Sequence, residues 1–293
     1  MIGNRRIIEC VATKENLGKL EEIIKQDLNE YRQTEKNYPK DYSRKIRKKE
    51  RAREILKQGK HFVDEFLMLN PDENIPKIEI CKSLDLKAAG LYSSIVSNGI
   101  MLGGGITLAA YFNQPMIGGV MAGIGLLKLA TFAAIKLKIQ TPHYEKGKIF
   151  CTKAREKKML FDIMHEYSHM VSENSLDRGM NTWLLYEGFA EGVSIHIARN
   201  NPAFAGSPVK KRALFRGIEM MDNARHGIKK RLEGKDIFED AVSQGEAGQI
   251  KIVENTAFAM LGCGYSIFRL AEEQSGPIVY KEVLDGNYSA LLC

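Results

Sequence analysis

The chain has 293 residues, 44% of them apolar, which is enough to bury a substantial core and excludes a disordered polyelectrolyte. The net charge of +7 is uneven, because Arg44, Lys45, Arg47, Lys48, Lys49, Arg51 and Arg53 crowd one stretch that also holds Glu50 and Glu54. No aromatic residues alternate with these cations as stacking readers of nucleic acid require, so the stretch reads as a solvated helix face and nucleic acid is not expected as a partner.

Five cysteines (Cys10, Cys81, Cys151, Cys263, Cys293) are odd in number and form no Cys-x-x-Cys pair, which argues for a reducing compartment. The N-terminal run meets Glu9 before an apolar core of signal-peptide length develops, so no secretory signal is expected.

In chain order, residues 14–34 carry Leu17, Leu20, Ile23, Ile24 and Leu28 at helical spacing, and 43–69 continues with helix formers up to Asn70-Pro71. The alternation Lys77-Ile78-Glu79-Ile80-Cys81 predicts a strand. From Ala88 to Leu127 there are 40 residues without a charge, broken near the middle by Asn113-Gln114-Pro115. That is two spans, each about the 20 residues a bilayer needs. Each span holds Gly-x-x-x-Gly, at Gly99 and Gly103 and at Gly119 and Gly123, a spacing that lets helix backbones pack closely in lipid. Lysines flank the pair on both outer sides, so charge bias predicts both termini on the cytoplasmic side. A buried, soluble glycine-rich hairpin is the competing expectation.

Between 159 and 171, Leu160, Ile163, Met164, Tyr167 and Val171 recur as on a half-buried helix, so His165 and His169 project from one face one turn apart. Two imidazole nitrogens so placed can reach one metal ion. Glu166 stands beside the first and is positioned to take a proton from a water that the metal acidifies. A catalytic zinc takes three protein ligands and keeps one position open, so a third ligand is needed from elsewhere. Ser172 and Ser175 stand where the extended His-Glu-x-x-His-x-x-Gly-x-x-His pattern requires Gly and His, and that pattern fails. Glu173 shares the helix of both histidines, closes a tetrahedral site poorly, and is expected to face solvent.

Seventeen residues separate His169 from Glu187 in the segment Trp183-Leu184-Leu185-Tyr186-Glu187-Gly188-Phe189-Ala190-Glu191. This segment resembles the gluzincins, in particular the aminopeptidase-N-like and related peptidase families, where a tryptophan-leucine segment leads into Glu-Gly-Phe-Ala. The resemblance implies Glu187 as the third ligand. It implies Glu191 as the carboxylate behind the first histidine, which fixes that ring's tautomer. Both carboxylates share a helical face, so the reverse assignment stays open.

Residues 264–276 more loosely resemble the helix whose first tyrosine stabilises the oxyanion in those families, which implies that role for Tyr265, with a core tyrosine as the alternative. Lys148-Ile149-Phe150-Cys151-Thr152 lies where zincins place an edge strand that pairs with substrate backbone. No Gly-x-Met-Glu-Asn segment is present, which favours an endopeptidase. His196 is expected to be a satisfied core histidine.

The chain thus reads as α+β, mainly α, in three parts: a basic helical N-terminal region over 1–87, a glycine-rich hydrophobic hairpin, transmembrane by its length, over 88–138, and a zincin-like metallopeptidase domain over 139–293. The resemblance covers about 145–276. The expected function is a membrane-anchored endopeptidase with Zn2+ on His165, His169 and Glu187 and with Glu166 as general base. A peptide or protein would be its substrate, residues 88–135 would be its contact with the membrane, and the catalytic domain would face the cytoplasm. Two other readings stand beside it: a catalytically silent zincin-like binding or regulatory module, and a membrane-inserting effector tethered by the hairpin.

Overall fold

The computed structural model describes residues 9, 11–35, 45–70, 75–81, 142–176, 183–234 and 254–291. The chain forms two compact units, one of Met1–Ile78, Tyr144–Ile149 and Ala154–Cys293, the other of Glu79–His143 and Phe150–Lys153. Among the described residues the fold is α+β and mainly helical, with seven helices and one small sheet.

Helix α1 (Lys14–Glu35) turns Leu20, Ile23 and Ile24 inward, as its spacing predicts. The same face buries Asp27, whose carboxylate lies 2.8 Å from the Arg199 guanidinium. Helix α2 (Lys49–Phe66) buries Ala52, Ile55, Leu56, Gly59, Lys60 and Val63 along one stripe. The cations of its basic approach, Lys45, Arg47, Lys48, Lys49, Arg51 and Arg53, are exposed, as a solvated face requires.

Strand β1 (Lys77–Cys81) is followed by β2 (His143–Glu145) and β3 (Lys148–Thr152). β2 and β3 are joined by Lys146-Gly147, both at positive φ (45° and 74°), the combination a two-residue type I′ hairpin turn demands. The sheet order is β1-β3-β2. The expectation that 148–152 forms an edge strand is therefore corrected: β3 is the central strand, and its backbone groups already serve neighbours on both sides.

Helices α3 (Glu156–Ser172), α4 (Trp183–Asn200), α5 (Pro208–Leu232), α6 (Glu254–Ser275) and α7 (Ile278–Leu284) complete the first unit. α5 starts at a Ser207 cap, whose hydroxyl accepts from the Lys210 N–H, with Pro208 in the first turn where a missing N–H is harmless. α3 packs on α2 and α4, and α6 packs on α4 and α5.

The α4–α6 crossing is a backbone contact. A Cβ built at Gly188 would lie 2.3 Å from the Gly264 carbonyl carbon, and one at Gly264 would lie 2.1 Å from the Leu184 oxygen. Only glycine permits that approach. The glycine beside Glu187 thus has a packing reason as well as a place in a motif.

The membrane expectation is corrected. Among the described residues no helix is long and apolar enough to cross a membrane. The long helices carry too many charges: α4 holds Glu187, Glu191 and Arg199, and α6 holds Glu254, Arg269, Glu272 and Glu273. Each such charge at a bilayer centre would cost about 2.5–3.5 kcal/mol or more. The hairpin expected over 88–138 lies outside the described residues, so the transmembrane assignment and the membrane location, with termini and catalytic domain on its cytoplasmic side, are without support.

Candidate metal centre

α3 owes its inward face to Met159, Leu160, Ile163, Met164 and Tyr167, all buried. The Tyr167 hydroxyl donates to Asp64 of α2 at 2.9 Å, and Lys60 pairs with the same carboxylate at 2.5 Å. Gly59 gives Ile163 room against α2. These contacts fix the rotation of α3 about its axis, and with it the direction of His165 and His169.

The two imidazoles meet edge to face with centroids 4.6 Å apart, and their Nε2 atoms are separated by 3.1 Å. Glu187 enters from α4, its Oε2 3.8 Å from His165 Nε2 and 3.6 Å from His169 Nε2. Among the described residues these three form the group whose ligand atoms lie within 4.8 Å of one another and could hold a metal ion.

The donor set can be tested against zinc. Bonds of about 2.0–2.1 Å in a tetrahedron put ligand atoms about 3.3–3.4 Å apart. The three separations, 3.1, 3.6 and 3.8 Å, straddle that edge length. Exposure rises around the group, with side chains 7% (His169), 14% (His165) and 23% (Glu187) accessible, so the centre is shielded but has an open side.

The surroundings suit ligation. Burial, the neighbouring His169 and the Arg216 cation together hold the His165 imidazole well below its usual range, leaving it neutral with a free lone pair. Tyr186 stacks on His169 at 4.2 Å between centroids. Glu166 is buried on the same helix, between the two histidines in sequence.

Glu191 is almost wholly buried, and its Oε1 lies 3.7 Å from His165 Nδ1 while pairing closely with the Arg216 guanidinium of α5. His165 Nδ1, His169 Nδ1 and Glu191 Oε2 are buried without a hydrogen-bond partner among the described residues. Burial lowers the Arg216 pKa from its ordinary value, against the opposing pull of the Asp162, Glu187, Glu219 and Glu166 carboxylates.

Tyr265 is placed differently. It is fully buried on α6 with its hydroxyl against Gly217 of α5, and a Cβ there would stand 2.8 Å from it. Burial raises its pKa far above the ordinary tyrosine value, and the charges bearing on it are Arg269, Asp27, Glu272 and Arg199, none from the metal group. This position lends the oxyanion role no support. Glu173 is exposed as expected and accepts a hydrogen bond from Tyr144 at 2.7 Å. His196 pairs with Glu272 at 2.7 Å and its ring lies tilted against Phe66, a satisfied histidine that takes no part in the metal group.

Two residues of the centre escaped the reading of the sequence. Tyr186 lay inside the quoted segment without a role. Arg216 had a usable signal, because it shares the stripe of Ala213 and Met220, positions three before and four after it that are buried.

No family model matches the chain, and neither a curated protein nor a solved structure matches it. The likeness to gluzincins therefore rests on the sequence segments quoted above alone.

Proposed function

We propose that the protein is a zinc-dependent peptidase of the gluzincin kind that cleaves within peptide chains. The observation that carries the reading is the meeting of His165 Nε2, His169 Nε2 and Glu187 Oε2 from two helices, at separations a tetrahedral ion spans. When bound, zinc would supply a Lewis acid that acidifies water and polarises a carbonyl.

The chain's own residues have the following parts. His165 and His169 bind through their neutral Nε2 atoms, and Glu187 closes the set from the opposite helix. Glu191 supports the reading from behind, since its carboxylate faces the Nδ1 side of His165, which needs an acceptor once Nε2 is committed. Glu166 takes the water proton and passes it to the leaving amine, acting first as general base and then as general acid. The His169 and His165 side chains are only 7% and 14% accessible, and this shielding from bulk water strengthens these interactions.

The experiment compares purified protein with Glu166→Gln and Glu187→Ala, measuring bound zinc by elemental analysis and hydrolysis of a mixed peptide library by mass spectrometry. Wild type should carry one zinc and cut internal bonds. Glu166→Gln should keep zinc and lose cutting by a factor of about 10³ or more, within the range of a general-base loss combined with a disturbed site. Glu187→Ala should lose zinc. Turnover by Glu166→Gln equal to wild type would sink the hydrolytic mechanism, and zinc without any peptide cutting would leave the silent binding module as the better reading.

A further inference from the structure

We propose that Arg216 is a positioning residue of the metal centre, holding Glu191 behind His165 and withholding that carboxylate from the metal. The inference rests on the metal reading above and adds a residue from outside the motifs that suggested it.

Glu187 and Glu191 sit one turn apart on α4, and either has the chemistry of a zinc ligand. Their partners distinguish them. Glu187 Oε2 lies beside both Nε2 atoms, whereas Glu191 Oε1 is paired with the Arg216 guanidinium and stands 3.7 Å from His165 Nδ1.

The accessibilities show how the pair is built. The Glu191 side chain is 2% exposed and that of Arg216 42%, so the cation reaches inward from the rim to a carboxylate shielded from solvent. A buried carboxylate without a cation is strongly disfavoured, and guanidinium is the cation best suited to grip one by its flat fork of donors.

Once one oxygen is gripped, the carboxylate cannot swing towards the ion. The same Oε1 stands 3.7 Å from His165 Nδ1, a buried nitrogen with no hydrogen-bond partner among the described residues. When Nε2 binds metal, Nδ1 is a donor, and Oε1 held in place by Arg216 is the acceptor that faces it. Arg216 also offsets part of the negative charge of the carboxylates around it, Glu166, Glu187 and Glu191 among them.

The test is a double-mutant cycle on the full chain, read as zinc affinity by competition with a chromophoric chelator, with circular dichroism to follow the fold. Arg216→Gln and Glu191→Gln should each weaken zinc binding by about 10–100-fold, the range for groups that orient a ligand histidine. The double variant should bind no more weakly than the weaker single one, because Arg216 acts through Glu191. Arg216→Lys, which keeps the charge and loses the fork, should fall between wild type and Arg216→Gln, a graded rescue that simple space-filling would not produce.

Wild-type affinity in Arg216→Gln, or losses that multiply in the double variant, would overturn the proposal. If Arg216→Gln does not fold, Arg216→Lys with and without Glu191→Gln closes the same cycle. Absence of stoichiometric zinc from the wild-type protein is a separate outcome and overturns the metal reading itself.

Discussion

The same substitution, glycine to alanine, should act with opposite sign at two helical positions. At Gly188 an added Cβ would lie 2.3, 2.4 and 2.8 Å from the carbonyl carbon, oxygen and Cα of Gly264. Carbon atoms in contact sit about 3.5–4.0 Å apart, so α4 and α6 would have to part by about 1 Å or more. All three obstacles are backbone, and no rotamer change can relieve them.

Overpacking of this kind costs about 1–3 kcal/mol, and the gain in helix propensity returns at most about 1 kcal/mol. With the clash at the severe end, Gly188→Ala should destabilise by about 2 kcal/mol, or about 4–8 °C in Tm for a domain of this size. At Gly18, inside α1, an added Cβ meets nothing within 4 Å. Gly18→Ala should therefore stabilise by about 0.5–1 kcal/mol. Urea unfolding followed by circular dichroism gives both values. The displaced α4 also carries Glu187, so zinc affinity should fall in Gly188→Ala and not in Gly18→Ala. A Gly188→Ala protein as stable as wild type would refute the claimed helix contact.

Other outcomes follow from single features. Burial would raise the Glu272 pKa, but the hydrogen bond and charge of His196, the charge of Arg269 and the Tyr280 hydroxyl outweigh it and hold it below its ordinary 4.5. A depressed carboxyl contributes stability above the unfolded value and loses it as pH falls through the folded one, so Glu272→Gln should lower stability near neutrality and flatten its decline below pH 4.5. The Cys263 thiol is wholly buried and pushed up to about 12 by that burial, so iodoacetamide at mildly alkaline pH should modify it only after unfolding, as peptide mapping would reveal. Tyr265→Phe should leave peptide hydrolysis within a few-fold of wild type, because its hydroxyl is spent in α5–α6 packing. A loss of about 100-fold or more would restore the oxyanion role.

Much of this molecule was legible because periodicity is local. The spacing of Leu20, Ile23 and Ile24 marks α1, and the alternation at 77–81 marks β1, since each pattern needs only its own segment. For the same reason His165 and His169 could be paired on one face without knowing what lies opposite. Glu187 came from resemblance alone, and its meeting with the histidines depends on how α3 and α4 pack, which no window of sequence contains.

Non-local choices were where the reading failed. β3 was expected at an edge and lies between β1 and β2, because strand order is decided by distant partners. The Gly188–Gly264 contact joins residues far apart in the chain, and neither glycine announces the other. Arg216 drew no reading from the sequence, although its register on α5 matches that of the buried Ala213 and Met220.

Two ligands lie on α3 and the third on α4, so a bound ion would fasten the helices together as a removable rivet, closing the stretch between His169 and Glu187. The folded state would then be linked to free zinc, gaining about 4 kcal/mol when zinc stands at 1,000 times its dissociation constant and nothing when a chelator removes it. In such a protein, the supply of metal would govern how long the chain survives as well as whether it can cut.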